Sequence, residues 1–186
     1  MFSNHSRTFD AGTPVLSADH GAMGLFPGTR IETESGWRDV ASLVRGDRVY
    51  TADGGLRPVL DLRAERAGGP AVRLPAGTLG ADSDCLVAPG QLLLLDTGWA
   101  IDWLGTPVAL ARAGDLVGRL GVRMRAAPAD RLIVPVMAEE EVLYAATGLR
   151  VFAPGATTFL GPEFFTLLDR SEVSEVLEAS GQARAA

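Results

Sequence analysis

The stretch Leu25–Gly54, LFPGTRIETESGWRDVASLVRGDRVYTADG, decides how the chain folds. It reads as strand, turn, short strand, turn, strand. Over Thr29–Thr33, Ile31 falls on one face and Arg30 and Glu32 on the other, the alternation of a half-buried strand. Ser35-Gly36 and Gly46-Asp47 are turn signals. Arg48-Val49-Tyr50-Thr51 is rich in strand formers, and Asp53-Gly54-Gly55 marks a tight hairpin-type turn. Trp37, Val40 and Leu43 supply apolar anchors.

Downstream, short strands follow at regular spacing. Arg57–Arg63 alternates strictly and reads as one strand, with Pro58 at its start or on an edge. Ala71–Leu74 is the next. Cys85–Ala88 and Gln91–Leu95 form the most apolar part of the chain, interrupted by Pro89-Gly90, and predict two buried strands or one bent strand. Trp99–Trp103 reads as strand or turn, and Val122–Ala126 and Arg131–Met137 as strands. Gly161-Pro162-Glu163 predicts a helix start with Phe164, Phe165, Leu167 and Leu168 packing. Ser171 is the expected N-cap of a second helix, with Val173, Val176 and Leu177 as its apolar stripe and Gly181 as its end. Many short strands predict an all-β domain with a short helical tail.

The chain has 186 residues, enough for one domain with a sizeable core. All 17 basic residues are Arg, and the net charge of -6 argues against nucleic acid or an anionic membrane as partner. One Cys excludes an internal disulfide and a Cys-cluster metal site. No apolar run is long enough to span a membrane, and residues 1–23 do not read as a signal peptide, so the cytoplasm is the default compartment. Those residues read as a flexible arm or a short strand at Pro14–Ser17. Both histidines, His5 and His20, lie in the arm near Asp10 and Asp19, too few ligands to predict a metal site. Asp82-Ser83-Asp84 lacks the rest of a cation-binding loop and reads as a solvated turn.

The pieces resemble a Hedgehog/intein (Hint) domain of the bacterial stand-alone type. Gly28, Thr29, Thr33, Gly36, Val40, Leu43, Gly46, Asp47, Arg48 and Val49 match that family's opening motif. Leu86, Val87, Pro89 and Leu93–Leu95 match its second signature, Ala113–Val117 a short third segment, and Glu141, Val142, Ala145, Gly148 and Leu149 a fourth. The resemblance covers roughly Phe26–Pro154. It implies a horseshoe of bent antiparallel strands with pseudo-two-fold symmetry. The expected organisation is an arm over 1–23, a Hint domain over 24–155 and a helical extension over 156–186.

Active Hint domains convert a peptide bond to a thioester by an acyl shift. That step needs a Cys, Ser or Thr at the junction, a proton donor to the leaving nitrogen, and a polar group that polarises the scissile carbonyl. Counting along the motifs, the nucleophile position falls on Gly24, the second-signature His on Gln91 and a further His on Glu140. Gly24 cannot attack, and residues 21–27 hold no Ser, Thr or Cys. Gln91 donates hydrogen bonds but does not give up a proton near neutral pH. Glu140 reads as part of a solvated acidic run, Glu139–Glu141. Cys85, between apolar neighbours, reads as a small buried hydrophobe.

The expected function is therefore a catalytically degenerate Hint scaffold that serves as a binding or structural module for an unidentified protein partner, with no cofactor and no metal. The alternative is self-processing through a non-standard nucleophile, Ser17 or Thr29.

Overall fold

The structure, a computed structural model, describes residues 21–98, 101–158 and 161–183. The expectations placed on Pro14–Ser17, His5, Asp10, Asp19 and His20 lie outside those residues.

The opening stretch folds as its pattern demands. Strands β1 (Arg30–Thr33) and β2 (Gly36–Asp39) form a hairpin in which Thr33 faces Gly36, and the Thr33 hydroxyl donates to the Gly36 carbonyl at 2.6 Å. The Asp39 carboxylate then accepts from the Ala41 amide at 2.8 Å and caps a single 3-10 turn, Val40–Ser42. Strand β3 (Arg48–Thr51) returns to pair with β4 (Gly55–Pro58) through the Asp53-Gly54 turn. Ile31, Val40 and Val49 are fully buried beneath this unit.

The stretch Arg57–Arg63 is not one strand. It breaks at Val59-Leu60, and β5 (Asp61–Arg66) leaves the first sheet to pair antiparallel along its whole length with β11 (Arg131–Val136). The physical reason is visible at Val59: its amide and carbonyl turn back to Asp47 O and Gly46 N, each at 2.8 Å, while the next amide, Leu60, donates to Val136 O. Pro58, lacking a donor, sits on the outer strand where no ladder bond is lost.

The remaining strands are β6 (Ala71–Leu74), β7 (Cys85–Val87), β8 (Leu92–Asp96), β9 (Val108–Arg112), β10 (Arg123–Arg125), β12 (Glu141–Ala145) and β13 (Leu149–Ala153). An eight-stranded sheet runs β2-β1-β3-β12-β13-β8-β9, with β4 added on β3; a second group runs β10-β6-β7, and β11 pairs with β5. Leu25 joins the two smaller groups, bridging to Val87 on one side and Ile133 on the other. The architecture is all-β and antiparallel, and one large core containing Ile31, Leu74, Leu93, Leu143 and Val151 fills the space between the sheets.

Three local expectations change. Ile101–Leu104 forms one helical turn, α1, where strand or turn was expected. Residues 161–168 are not helical: the Leu110 amide donates to Thr166 O and the Leu168 amide to Leu110 O, so the segment runs parallel beside β9. Edge pairing and burial of alternate side chains outweigh a modest helix propensity here. Helix α2 spans Arg170–Ala183 and is capped by Asp169 rather than Ser171. Asp169 Oδ1 accepts from the Ser171 and Glu172 amides, while Glu172 Oε2 accepts from the Asp169 amide, a reciprocal capping box. Gly181 lies inside this helix and does not end it. Among the described residues no helix is long and apolar enough to cross a membrane.

Candidate functional site

The residues expected at the family's chemical positions are set by two crossings of the chain. Residues 22–25 lie between 87–90 and β11. The Leu25 amide donates to Ile133 O at 2.9 Å and Ile133 returns the bond at 2.8 Å. On the other side Ala88 donates to Gly24 O and Gly90 to Ala22 O at 3.0 Å. Gly90 is required by this approach, since a Cβ there would stand 2.4 Å from Gly21 O. The opening motif and the second signature are thus brought side by side.

Gly24 sits at the centre of that crossing with φ +143°. A Cβ at this position would meet Leu132 Cβ at 2.9 Å, Val134 Cγ2 at 3.1 Å and Ile133 O at 3.3 Å. The backbone conformation and the lack of space both select glycine. The sequence carried no sign that Leu132 and Val134 form this wall.

Gln91 is buried, with 2% of its surface exposed. Its Nε2 donates to Leu92 O at 3.0 Å and to Phe152 O at 2.9 Å, so both amide hydrogens are engaged by backbone carbonyls of neighbouring strands. In this arrangement Gln91 ties β8 to β13.

Glu140 corrects the expectation of a solvated acidic run. Glu139 is exposed and Glu141 lies 3.4 Å from Arg57, but the Glu140 carboxylate is buried. It accepts from Thr158 Oγ1 at 3.0 Å, from the Glu163 amide at 2.9 Å and from the Phe164 amide at 3.1 Å. These donors offset the desolvation of the charge. Acidic neighbours in sequence give no clue, because the donors come from 18 to 24 residues downstream.

Beyond Gly24 the chain opens on a cleft of about 320 Å³. Phe26–Arg30 form one wall, Ser83–Leu86 a second, and Pro128 with the turn Ala146-Thr147 a third. Thr29 borders it, largely buried, with its amide bonded to Phe26 O and its carbonyl to the Val40 amide. Ala146 and Thr147 both adopt left-handed conformations, φ 45° and 59°, which ordinarily select Gly or Asn. Burial pushes the Cys85 thiol up to about 11, as an apolar environment does to a group that would have to become charged. The Ala76 amide and the Arg73 guanidinium hold the Asp84 carboxyl below its ordinary value, so Asp84 is committed to its own loop. Among the described residues no group of three or more His, Cys, Asp or Glu side chains is placed to hold a metal ion.

The family model described as Hint domain matches residues 23–150. No curated protein matches the chain. Several solved structures are similar, two of them as follows. The solution structure of a bacterial intein-like domain from Clostridium thermocellum shares 14% identity with a TM-score of 0.51, covering 70% of this chain and 98% of that one. The crystal structure of the gp41-1 intein shares 14% identity with a TM-score of 0.50, covering 69% of this chain and 98% of that one. Both carry the same fold.

Proposed function

Since the chain belongs to the Hint domain family, its scaffold is that of autoprocessing domains, and we propose that it keeps this scaffold without self-cleavage and acts as a binding module. The observation that carries the proposal is the wall around Gly24. Gly24, read from the motif spacing as the nucleophile position, has no side chain, and Leu132 and Val134 occupy the space one would need. Two further observations support the reading. Gln91 spends both amide hydrogens on strand carbonyls, and Glu140 spends its carboxylate on Thr158, Glu163 and Phe164. The cleft bordered by Phe26–Arg30 is the contact surface proposed for a protein partner.

The test is intact mass of the full chain carrying an N-terminal tag, incubated for a day with and without dithiothreitol. Unchanged mass is the expected result. A shorter product would overturn the reading. Its new N-terminus would identify the nucleophile, with Thr29 the residue to inspect first because it borders the cleft.

A further inference from the structure

The family match ends at residue 150, and the two similar structures account for about 70% of this chain while being covered almost completely themselves. The segment 161–168 lies beyond that match, and its placement is specific. Two consecutive backbone amides, Glu163 and Phe164, donate to the buried Glu140 carboxylate. Phe165 then meets Phe152 edge to face, with ring centres 6.1 Å apart. Thr166 O accepts from the Leu110 amide at 2.8 Å, and the Leu168 amide donates to Leu110 O at 2.9 Å. Phe165 and Leu167 pack on a separate apolar cluster that also receives Met23, the residue before Gly24. Phe164 turns away, 75% exposed.

This is how a domain holds an extended peptide: backbone bonds to a strand edge supply affinity, and alternate side chains in apolar sites supply selectivity. The surface left without 161–168 would expose an unpaired edge of β9 and leave the Glu140 carboxylate without its two amide donors, keeping the Thr158 hydroxyl, and both changes are costly. We propose that Glu140, β9 and Phe152 form a peptide-binding groove that the chain's own 161–168 fills as an intramolecular competitor. The ligand class is an extended peptide with two adjacent free backbone amides, then an aromatic residue, and a leucine two positions further on. Proline is excluded at the positions matching Glu163, Phe164 and Leu168, because each donates its amide. A tethered competitor present at an effective concentration near millimolar keeps the groove closed to weak ligands. None of the residues named as lining the Phe26–Arg30 cleft is used, so the groove stands apart from whether that cleft binds a partner.

The probe is a fluorescein-labelled peptide of the sequence Gly161–Asp169, measured by anisotropy against the full chain. The Phe165→Ala/Leu167→Ala chain, which weakens the internal competitor without touching the groove, is expected to bind it at least tenfold more tightly than the unaltered chain. Adding Glu140→Gln in that background is expected to lose at least tenfold. Hydrogen exchange at Leu143 and Val151 reports whether the central sheet remains folded. Absence of binding by a double variant with protected Leu143 and Val151 overturns the proposal. Should that variant unfold, excess unlabelled peptide on the unaltered chain is the deciding arm: faster exchange at the chain's own Leu168 amide supports displacement, and unchanged exchange overturns it. Absence of binding together with unchanged intact mass would remove the groove and leave the non-processing scaffold standing.

Discussion

Gln91 Nε2 lies 2.9 Å from the carbonyl oxygen of Phe152, sixty-one residues further along the chain. The bond is buried and joins the turn before β8 to the middle of β13. The same nitrogen also serves Leu92 O, so a single side chain satisfies two buried acceptors. In a low-dielectric interior, leaving such acceptors unpaired costs more than the bond's net worth.

Gln91→Ala is accordingly expected to destabilise the chain by about 2–4 kcal/mol, as the two carbonyls are stranded. Gln91→His, which places a donor on only one ring nitrogen when neutral, should lose roughly half as much. Urea midpoints at constant m-value check both. Equal midpoints for the Ala variant and the unaltered chain would show that water replaces the amide.

Gly24→Ala should cost about 2–3 kcal/mol, through its left-handed backbone and the contact with Leu132. Combining it with Val134→Ala, which removes the Cγ2 atom 3.1 Å from the added Cβ, should recover about 1 kcal/mol relative to the sum of the single changes, because the added and removed atoms share one space. A double-mutant cycle from denaturant unfolding measures this coupling, and strict additivity would contradict the wall.

The Ala146-Thr147 turn holds two non-glycine residues in the left-handed region. Replacing the pair by Asn-Gly, residues that accept two adjacent left-handed positions in this three-residue loop, should raise stability by about 1–2 kcal/mol. Thermal unfolding of the Ala146→Asn/Thr147→Gly chain reads the gain. Because both residues line the cleft, loss of partner binding in this more stable variant would assign the strain to function.

Cys85 should resist thiol reagents in the folded chain. With its thiol pushed up to about 11 from an ordinary 9.0, its thiolate fraction at pH 8 is about a hundredfold below that of a free peptide thiol. The folded state holds this proton more tightly than the unfolded one. The associated stability is therefore fully present below about pH 9 and is lost as pH rises through 11. Cys85→Ala should flatten that alkaline limb of the stability profile.

The fold was legible where local chemistry and burial agree. Ile31 and Val49 alternate with polar neighbours, Ser35-Gly36 turns, and β1 to β3 lie where the pattern put them. Legibility failed where tertiary partners decide. The apolar residues of 164–168 satisfy helical spacing, yet Leu110 offers them a strand edge and Glu140 offers an acceptor. Ser171 and Asp169 are both good caps, and the reciprocal partner Glu172 selects Asp169. At the candidate site, motif spacing points to Gly24, Gln91 and Glu140. What encloses or engages them, Leu132, Phe152 and Glu163, comes from remote segments that no local pattern announces.

The enclosure of Gly24 bears on the order in which changes can accumulate in such a chain. A single codon change to Cys at 24 would strain the backbone and collide with Leu132 before any thioester chemistry could be tried. Trimming Val134 alone removes packing at a buried position and also loses stability. Both first steps lead downhill, and the pair together relieves only the Val134 part of the contact, because the Leu132 Cβ stays in place. The wall acts as a ratchet: a side chain at position 24 demands passage through a weaker intermediate, whichever change comes first.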